Sequence, residues 1–415
     1  MGIDHIVQSA QQKYILNIQG EHFIISHDNL NIPFRVYEPT TNRQSHFDSG
    51  TAATLYTFPQ TRGMVLDAAA FRESRRLGRE KPIDAGTVLT INSGTNSRTK
   101  PRFVHWILRF LLEAPEFDIN SYKYRDSEAL KPPPAVNQLQ WGGVYKPVQY
   151  VLPTAHIDES TYEGNDEVVA EVLKCLGFGS AENRKKIGLE HIIVWVGDQL
   201  TVSRLRGLQT QRSHDWNAFD RMEWMIPMFG WFHLQMAFAN SLHSQFYGSK
   251  TTLGFSHAFD VLQRKGLHST STQGTFHHTF EQALFVVGAA RFSDAWRKVA
   301  DVENLEELRK KNAIELYDLA TTIWASYAST AAIVRLGGGS NEGEDELLPI
   351  TICLNRDILD YYELDEAMRV GDVGRMEDML PRLLFRFIGG GNYKYAGETL
   401  ELLQGLHREW TDDVK

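Results

Sequence analysis

The chain has 415 residues, 42% of them hydrophobic and 23% charged, which is enough apolar material for two domains or for one domain with a large insertion. Aromatic residues make up 11% and argue against widespread disorder. A formal net charge of −9 supplies no global attraction to phosphate, so nucleic-acid binding would need local basic patches or a bridging cation. Cys175 and Cys353 are the only cysteines and lie far apart, so neither a disulfide framework nor a zinc motif is indicated, and a reducing compartment, cytosol or nucleus, fits best. The start Met1-Gly2-Ile3-Asp4-His5 lacks the pattern of a secretory signal. Ile6 stands where a myristoylation pattern needs Ser or Thr, and Arg335 interrupts the nearest approach to a membrane span. A soluble, intracellular protein is expected, with no membrane partner.

Three short strands are expected at the start, His22 to Ser26, Ile32 to Tyr37 and Ala52 to Phe58, joined by turns at Asp28-Asn29 and Asp48-Ser49-Gly50. Met64 to Leu77 and Phe103 to Glu113 carry helical spacing, with an irregular Gly, Thr and Ser segment between them. Lys131-Pro132-Pro133-Pro134 marks a stiff connection before the β-rich stretch Pro147 to Ile157. A helix from Asp166 to Leu176, a strand from His191 to Gly197, a helix from Val202 to Thr210 and a strand from Met222 to Phe229 follow. The last of these leads into a helix from Phe232 to Phe246. This alternation predicts an α/β layer with a parallel portion, although Pro227 is unusual in a strand.

Beyond residue 251 helical spacing dominates, at Thr279 to Ala290, Asp294 to Ala300, Leu305 to Tyr327, Arg356 to Val370 and Arg375 to Phe387. The acidic stretch Gly337 to Glu346 is expected as a loop. Gly389-Gly390-Gly391 breaks the chain before a last helix, Tyr395 to Trp410.

Asp198 closes the apolar run Ile192 to Val196, and Asp28 follows Phe23-Ile24-Ile25-Ser26. Carboxylates at strand ends can converge on a metal site, where hard oxygen ligands hold Mg²⁺ or Mn²⁺ for a two-metal reaction. Glu398, at the opening of the last helix, is a third candidate. Each has an ordinary alternative: a turn dipeptide at Asp28-Asn29, a helix cap at Asp198, a first-turn charge at Glu398. Asp158 ends another β-rich stretch and could replace Asp28. His233 enters an apolar helix, where it is either a supporting residue or a hydrogen-bonded core histidine.

Arg204, Arg206 and Arg212 follow Asp198 closely, and Arg72, Arg75, Arg76, Arg79 and Lys81 form a second basic cluster. Either group could contact phosphates or form a solvated helix face. Gly-x-Ser-x-Gly is absent, and the glycine run at 389–391 lacks the Lys-Ser/Thr of a phosphate loop. His277-His278 offers only a weak pair.

Four segments in order, Ser26-His27-Asp28-Asn29-Leu30-Asn31, Val196-Gly197-Asp198-Gln199-Leu200-Thr201, Gly230-Trp231-Phe232-His233-Leu234-Gln235-Met236 and Asn392-Tyr393-Lys394-Tyr395-Ala396-Gly397-Glu398, carry a resemblance. The chain resembles a large family of uncharacterised fungal proteins abundant in mushroom-forming fungi. More distantly it is similar to the ribonuclease-H-like core of cut-and-paste transposases, particularly the hAT-like group. That resemblance implies a ribonuclease-H-like mixed sheet flanked by helices, with a large helical insertion before the last core helix. It implies a core over residues 1–250 with an irregular insertion around 80–147, a helical insertion over 251–388 and the last core helix over 389–415. Asp28, Asp198 and Glu398 would be the acidic triad holding Mg²⁺ or Mn²⁺, supported by Asp158 and His233. Arg204, Arg206 and Arg212 would contact nucleic acid, with DNA the expected partner. The Cys usual upstream of the histidine in that group is absent, with Gly230 and Trp231 nearby, and no amino-terminal DNA-binding module is recognisable. The implied activity is metal-dependent nucleic-acid cleavage or strand transfer in the nucleus or cytoplasm. The alternative is a domesticated, inactive nucleic-acid- or protein-binding scaffold. Oligomeric state stays open.

Overall fold

The computed structural model describes residues 22–38, 40, 44, 46–248, 254–264, 277–336 and 347–415. The expected loop at Gly337 to Glu346 and the amino-terminal residues through 21 lie outside them. The chain divides into two compact units, the first drawn from residues 1–83, 140–233 and 400–415 and the second from 84–139 and 234–399.

The first unit is built on a five-stranded sheet in the order β3-β2-β1-β4-β5, with β1 Phe23–Phe34, β2 His46–Thr57, β3 Val148–Val151, β4 Ile193–Gly197 and β5 Met225–Phe229. The β1–β2 and β2–β3 pairs are antiparallel, and the β1–β4 and β4–β5 pairs are parallel. Its helices are α1 Ala68–Arg79, α3 Tyr162–Cys175, α4 Ala181–Glu190 and α5 Gln199–Gln211; α2, Ala85–Leu112, belongs to the second unit.

Two long strands replace the expected three short ones. Asp28 and Asn29 do not turn: they pair with Ala52 and Thr51 inside the β1–β2 ladder. The backbone ladder overrides the local turn preference of Asp-Asn, as tertiary context commonly does for strands. Pro227 is accommodated because β5 is an edge strand, where a missing N–H breaks no central ladder.

Strand alternation sends Phe23 and Ile25 of β1, Ala53 and Leu55 of β2, and Ile193 and Trp195 of β4 to one face. Val168, Val169, Val172 and Leu173 of α3, Ile187 of α4, and Leu205 and Leu208 of α5 join them in one buried cluster. Trp195 has no exposed surface and meets Trp224 edge-on with ring centroids 6.4 Å apart. Truncating such a side chain to alanine costs roughly 3–5 kcal/mol.

The second unit is helical. Besides α2 it contains most of α6 Trp231–Phe246, then α7 Phe255–Arg264, α8 His277–Ala300, α9 Ala313–Tyr327, α10 Thr330–Arg335, α11 Leu347–Val370, α12 Val373–Gly389 and the first part of α13 Tyr393–Gln404. The segment expected to be irregular is helical throughout α2. Asp84 caps its start by accepting from Thr87 N, and Thr90 and Thr99 donate their hydroxyls to carbonyls four residues back. Its buried threonines and apolar residues pack rather than loop out, so tertiary burial outweighs weak helix propensity.

A ladder of buried ion pairs joins α11 to α12. Asp357 lies 2.6 Å from Arg386, Asp360 2.7 Å from Arg382, and Glu363 2.7 Å from Arg375. Positions 357, 360 and 363 recur at helical spacing, so the three carboxylates share a face of α11. Burial raises the Glu363 carboxyl against the pull of Arg375; at Asp360 burial acts the same way, but Arg382 and Arg386 prevail and lower it.

Candidate functional site at the strand ends

β1 outruns its parallel neighbour. The β1–β4 ladder ends at the Ser26–Val196 pair, after which β1 continues along β2 and the chain leaves β4 for α5. Asp28 and Asp198 each stand two positions beyond that pair. Asp28 is therefore inside β1, not after its end as its turn-like neighbours imply, and it is exposed. Its Oδ1 accepts from Asn29 N at 2.9 Å.

Asp198 caps α5: its Oδ1 accepts from Thr201 N at 2.7 Å. The cap alternative is thus realised at Asp198, and it still leaves the second oxygen of this half-exposed carboxylate without a hydrogen bond among the described residues. Gly197 makes the tight turn. A Cβ there would meet Thr201 Cγ2 at 2.5 Å and Cβ at 2.8 Å, so no side chain fits between strand and helix.

The end of β5 lies beside this turn. Phe229 pairs with Gly197, and Gly230 N donates to the Gly197 carbonyl at 3.1 Å. This places the start of α6 next to Asp198. His233 sits in that first turn, half-buried, with its ring 6.2 Å from that of Phe232.

Behind the strand ends lies a buried polar group whose parts the sequence scatters. His27, on the core face of β1, has a wholly buried side chain. Its Nδ1 accepts from the Trp195 indole N–H at 2.6 Å, which places the ring proton on Nε2, and Nε2 lies 2.8 Å from Glu159 Oε2. The other Glu159 oxygen accepts from Thr201 Oγ1 at 3.5 Å. The Glu159 carbonyl accepts from Arg204 at 2.9 Å and from the buried Asn165 amide.

The loop carrying Glu159 is drawn in by an extension of β2, where Thr51 and Ala155 exchange backbone hydrogen bonds and Thr51 Oγ1 donates to the Ile157 carbonyl. His27 precedes Asp28 and the Thr201 N–H donates to the Asp198 cap, so this network holds both carboxylate-bearing segments. Strand period placed His27 among Phe23 and Ile25, and a histidine on a core face needs a buried partner. No sequence signal pointed to Glu159 as that partner.

The remaining candidates are placed as follows. Both oxygens of the exposed Asp158 are held by Ser160, from its N and Oγ, and the backbone bond heads the causes that lower its carboxyl. Glu398 lies in the middle of α13, buried, in the second unit; it is not at the opening of the helix, so the first-turn reading falls away. The arginines carry internal partners: Arg204 the Glu159 carbonyl, Arg206 the Pro227 carbonyl and Glu401, and Arg212 the Asp166 carboxylate. Among the described residues no group of three or more His, Cys, Asp and Glu is gathered that could hold a metal ion, and no helix is long and apolar enough to cross a membrane.

Fold and site together define an α/β protein with a five-stranded mixed sheet, in which Asp28 and Asp198 each follow the last pair of the parallel β1–β4 ladder. Residues 78–415 match the Family of unknown function (DUF6589), and the chain belongs to that family. The matched stretch contains Asp198, His233 and Glu398 and begins after Asp28. No curated protein and no solved structure matches.

Proposed function

We propose that the protein is a transposon-derived, ribonuclease-H-like nuclease or strand transferase acting on nucleic acid, with DNA the expected substrate. The observation that carries the proposal is that Asp28 and Asp198 each follow, by two residues, the last pair of the parallel β1–β4 ladder. Supporting it is chain order: an antiparallel meander bearing an early Asp, then strand, helix, strand and a His-bearing helix, a helical region and a late Glu. This is the order implied by the resemblance to the transposase core.

The two carboxylates fit a divalent cation in kind. Each keeps one oxygen free of hydrogen bonds among the described residues, and hard cations of this size take carboxylate oxygen. When bound, Mg²⁺ or Mn²⁺ would supply activation of water or a hydroxyl and stabilisation of the leaving oxygen. Asp28 within β1 and Asp198 at the cap of α5 would hold it, and the resemblance supplies Glu398 as the third carboxylate. Asp28 is preferred to Asp158 because Ser160 occupies both Asp158 oxygens. The fungal, mushroom-family resemblance accords with a family of mobile-element origin, and a nuclear site of action would follow from a DNA substrate.

A second reading, a catalytically inactive scaffold that binds nucleic acid or protein, is favoured by the internal engagement of Arg204 and Arg212. The two separate in one assay: cleavage and strand transfer on labelled DNA and RNA with Mg²⁺ or Mn²⁺, comparing wild type with Asp198→Asn. Metal-dependent activity that disappears in the variant supports the enzyme. Absence of activity in wild type on both substrates, or activity unchanged in the variant, rules it out.

A further inference from the structure

We infer that a cavity of about 470 Å³ at the β5 edge of the first unit is a phosphate-binding site for a nucleotide or a nucleotide chain. The site unites the two basic clusters that are separate in sequence. Arg75 and Arg79 of α1 face Arg206 of α5 across it, and the carboxyl-terminal segment with Glu401, Glu409 and Trp410 closes the wall.

The positive charge of Arg75 and Arg79 is loosely compensated. The Arg75 side chain is only 12% exposed, yet its Nε has no hydrogen-bond partner, and the carboxylate nearest to it, Glu409, is 3.5 Å away. Its other contacts, to the Met225 carbonyl at 3.3 Å and Gln209 Oε1 at 3.5 Å, are at the long limit. Arg79 is exposed and comes no nearer to Glu409 than 3.9 Å. Arg206 is turned to the Pro227 carbonyl at 3.1 Å and to Glu401 at 3.3 Å. Arg75 and Arg79 thus share Glu409 at 3.5 and 3.9 Å, too far for a short bidentate pairing.

Burial, followed by the repulsion of Arg79, brings the Arg75 guanidinium down to about 10 despite Glu409. A buried cation with unused donors is stabilised by an incoming anion, and the guanidinium fork matches phosphate oxygens. Gln209, Thr210 and Ser213 add neutral hydrogen-bonding groups to the lining.

Shape selects a nucleotide over a lone ion. The volume falls in the range of about 300–1,000 Å³ that small-molecule sites occupy. A second cavity of about 630 Å³ shares Arg75, Arg79, Gln209 and Ser213 and prolongs the space along α1 into a groove. At its other end the first cavity reaches Phe229, whose ladder partner Gly197 precedes Asp198. A chain lying in the groove would leave it at the strand ends. The site does not depend on the carboxylate reading, since phosphate capture needs only the arginines.

Titration calorimetry on the full chain, with chelator present and at low salt, tests it with inorganic phosphate, thymidine 5′-monophosphate, thymidine and single-stranded oligothymidylate. Thymidine 5′-monophosphate is expected to bind and thymidine is not. Arg79→Ala should weaken the monophosphate by about fivefold, the worth of one partly exposed ion pair, without changing the thermal midpoint. Ser213→Glu, at an exposed position, should abolish binding while the fold persists. Tighter binding of the oligonucleotide than of the monophosphate assigns a chain, and equal affinities assign a free nucleotide. Failure of every phosphate to bind, or equal affinity in wild type and both variants, overturns the proposal.

Discussion

Asp28 and Asp198 each stand two residues past the Ser26–Val196 pair that ends the parallel β1–β4 ladder. One is the continuation of β1 into its hairpin, and the other is the cap of α5. Side chains two positions apart on a strand share a face, so Asp28 keeps the face of Ser26, while His27 turns to the core. The carboxylate chemistry and the packing that supports it are thereby separated by a single residue.

Asp198→Asn distinguishes capping from metal binding. Asn and Asp cap helices about equally well, so stability should change by less than about 0.5 kcal/mol in urea titration. Metal-dependent cleavage should fall by more than the roughly 10–100-fold that outer-shell changes cost. A parallel fall in stability and activity would make Asp198 a structural cap alone.

Gly197→Ala places a methyl group 2.5 Å from Thr201 Cγ2. The turn must move, at a cost of about 1–3 kcal/mol for overpacking. Thr201→Ser in the same chain removes one clashing atom and should recover part of the loss in a denaturation midpoint.

His27→Phe fills the same core space but leaves the Trp195 indole N–H and the Glu159 carboxylate without their ring partner. Each stranded buried group costs about 1–3 kcal/mol or more. Glu159→Gln keeps an oxygen beside His27 Nε2, a 2.8 Å contact that lacks hydrogen-bond geometry, and should be the milder change. Equal stabilities for both variants would show that the network contributes nothing.

Arg382→Met leaves Asp360, whose side chain is fully buried, with its ion pair to Arg386 and the charge of Arg356. Breaking a buried pair from one side costs about 3–5 kcal/mol. The double variant Asp360→Leu, Arg382→Met should regain much of that, read as a double-mutant cycle.

Asp372 caps α12 through Arg375 N and accepts from Val136 N and Asn137 N at 3.0 and 2.9 Å. Burial opposes its ionisation, but these backbone bonds and Arg375 outweigh it and lower the carboxyl. A lowered folded value means that the contribution is fully present above the unfolded value, about 3.9, and is lost as pH falls through the folded value. Asp372→Asn should therefore flatten the acid limb of the stability curve below about pH 4, while leaving the slope near neutrality unchanged.

Much of the architecture was legible because it is set by local periodicity. The apolar run before Asp198, the helix after it and the helix entered at Trp231 all fall where spacing places them, since helix and strand periods are written into burial. The failures share a cause. Asp28-Asn29 carries the signature of a turn, and the Gly, Thr and Ser segment before Phe103 that of a loop. Yet β2 supplies a ladder for the first, and burial within the second unit holds the second in α2.

By itself the sequence determined the apolar faces, the caps and the presence of acidic residues beside strand segments, all properties of neighbours along the chain. Only the tertiary structure decided that Asp28 and Asp198 follow the same ladder pair, that Glu159 meets His27, and that Arg206 joins Arg75 and Arg79 around one cavity. Those pairings span large sequence separations and depend on strand order and loop path, which no local pattern of side chains encodes.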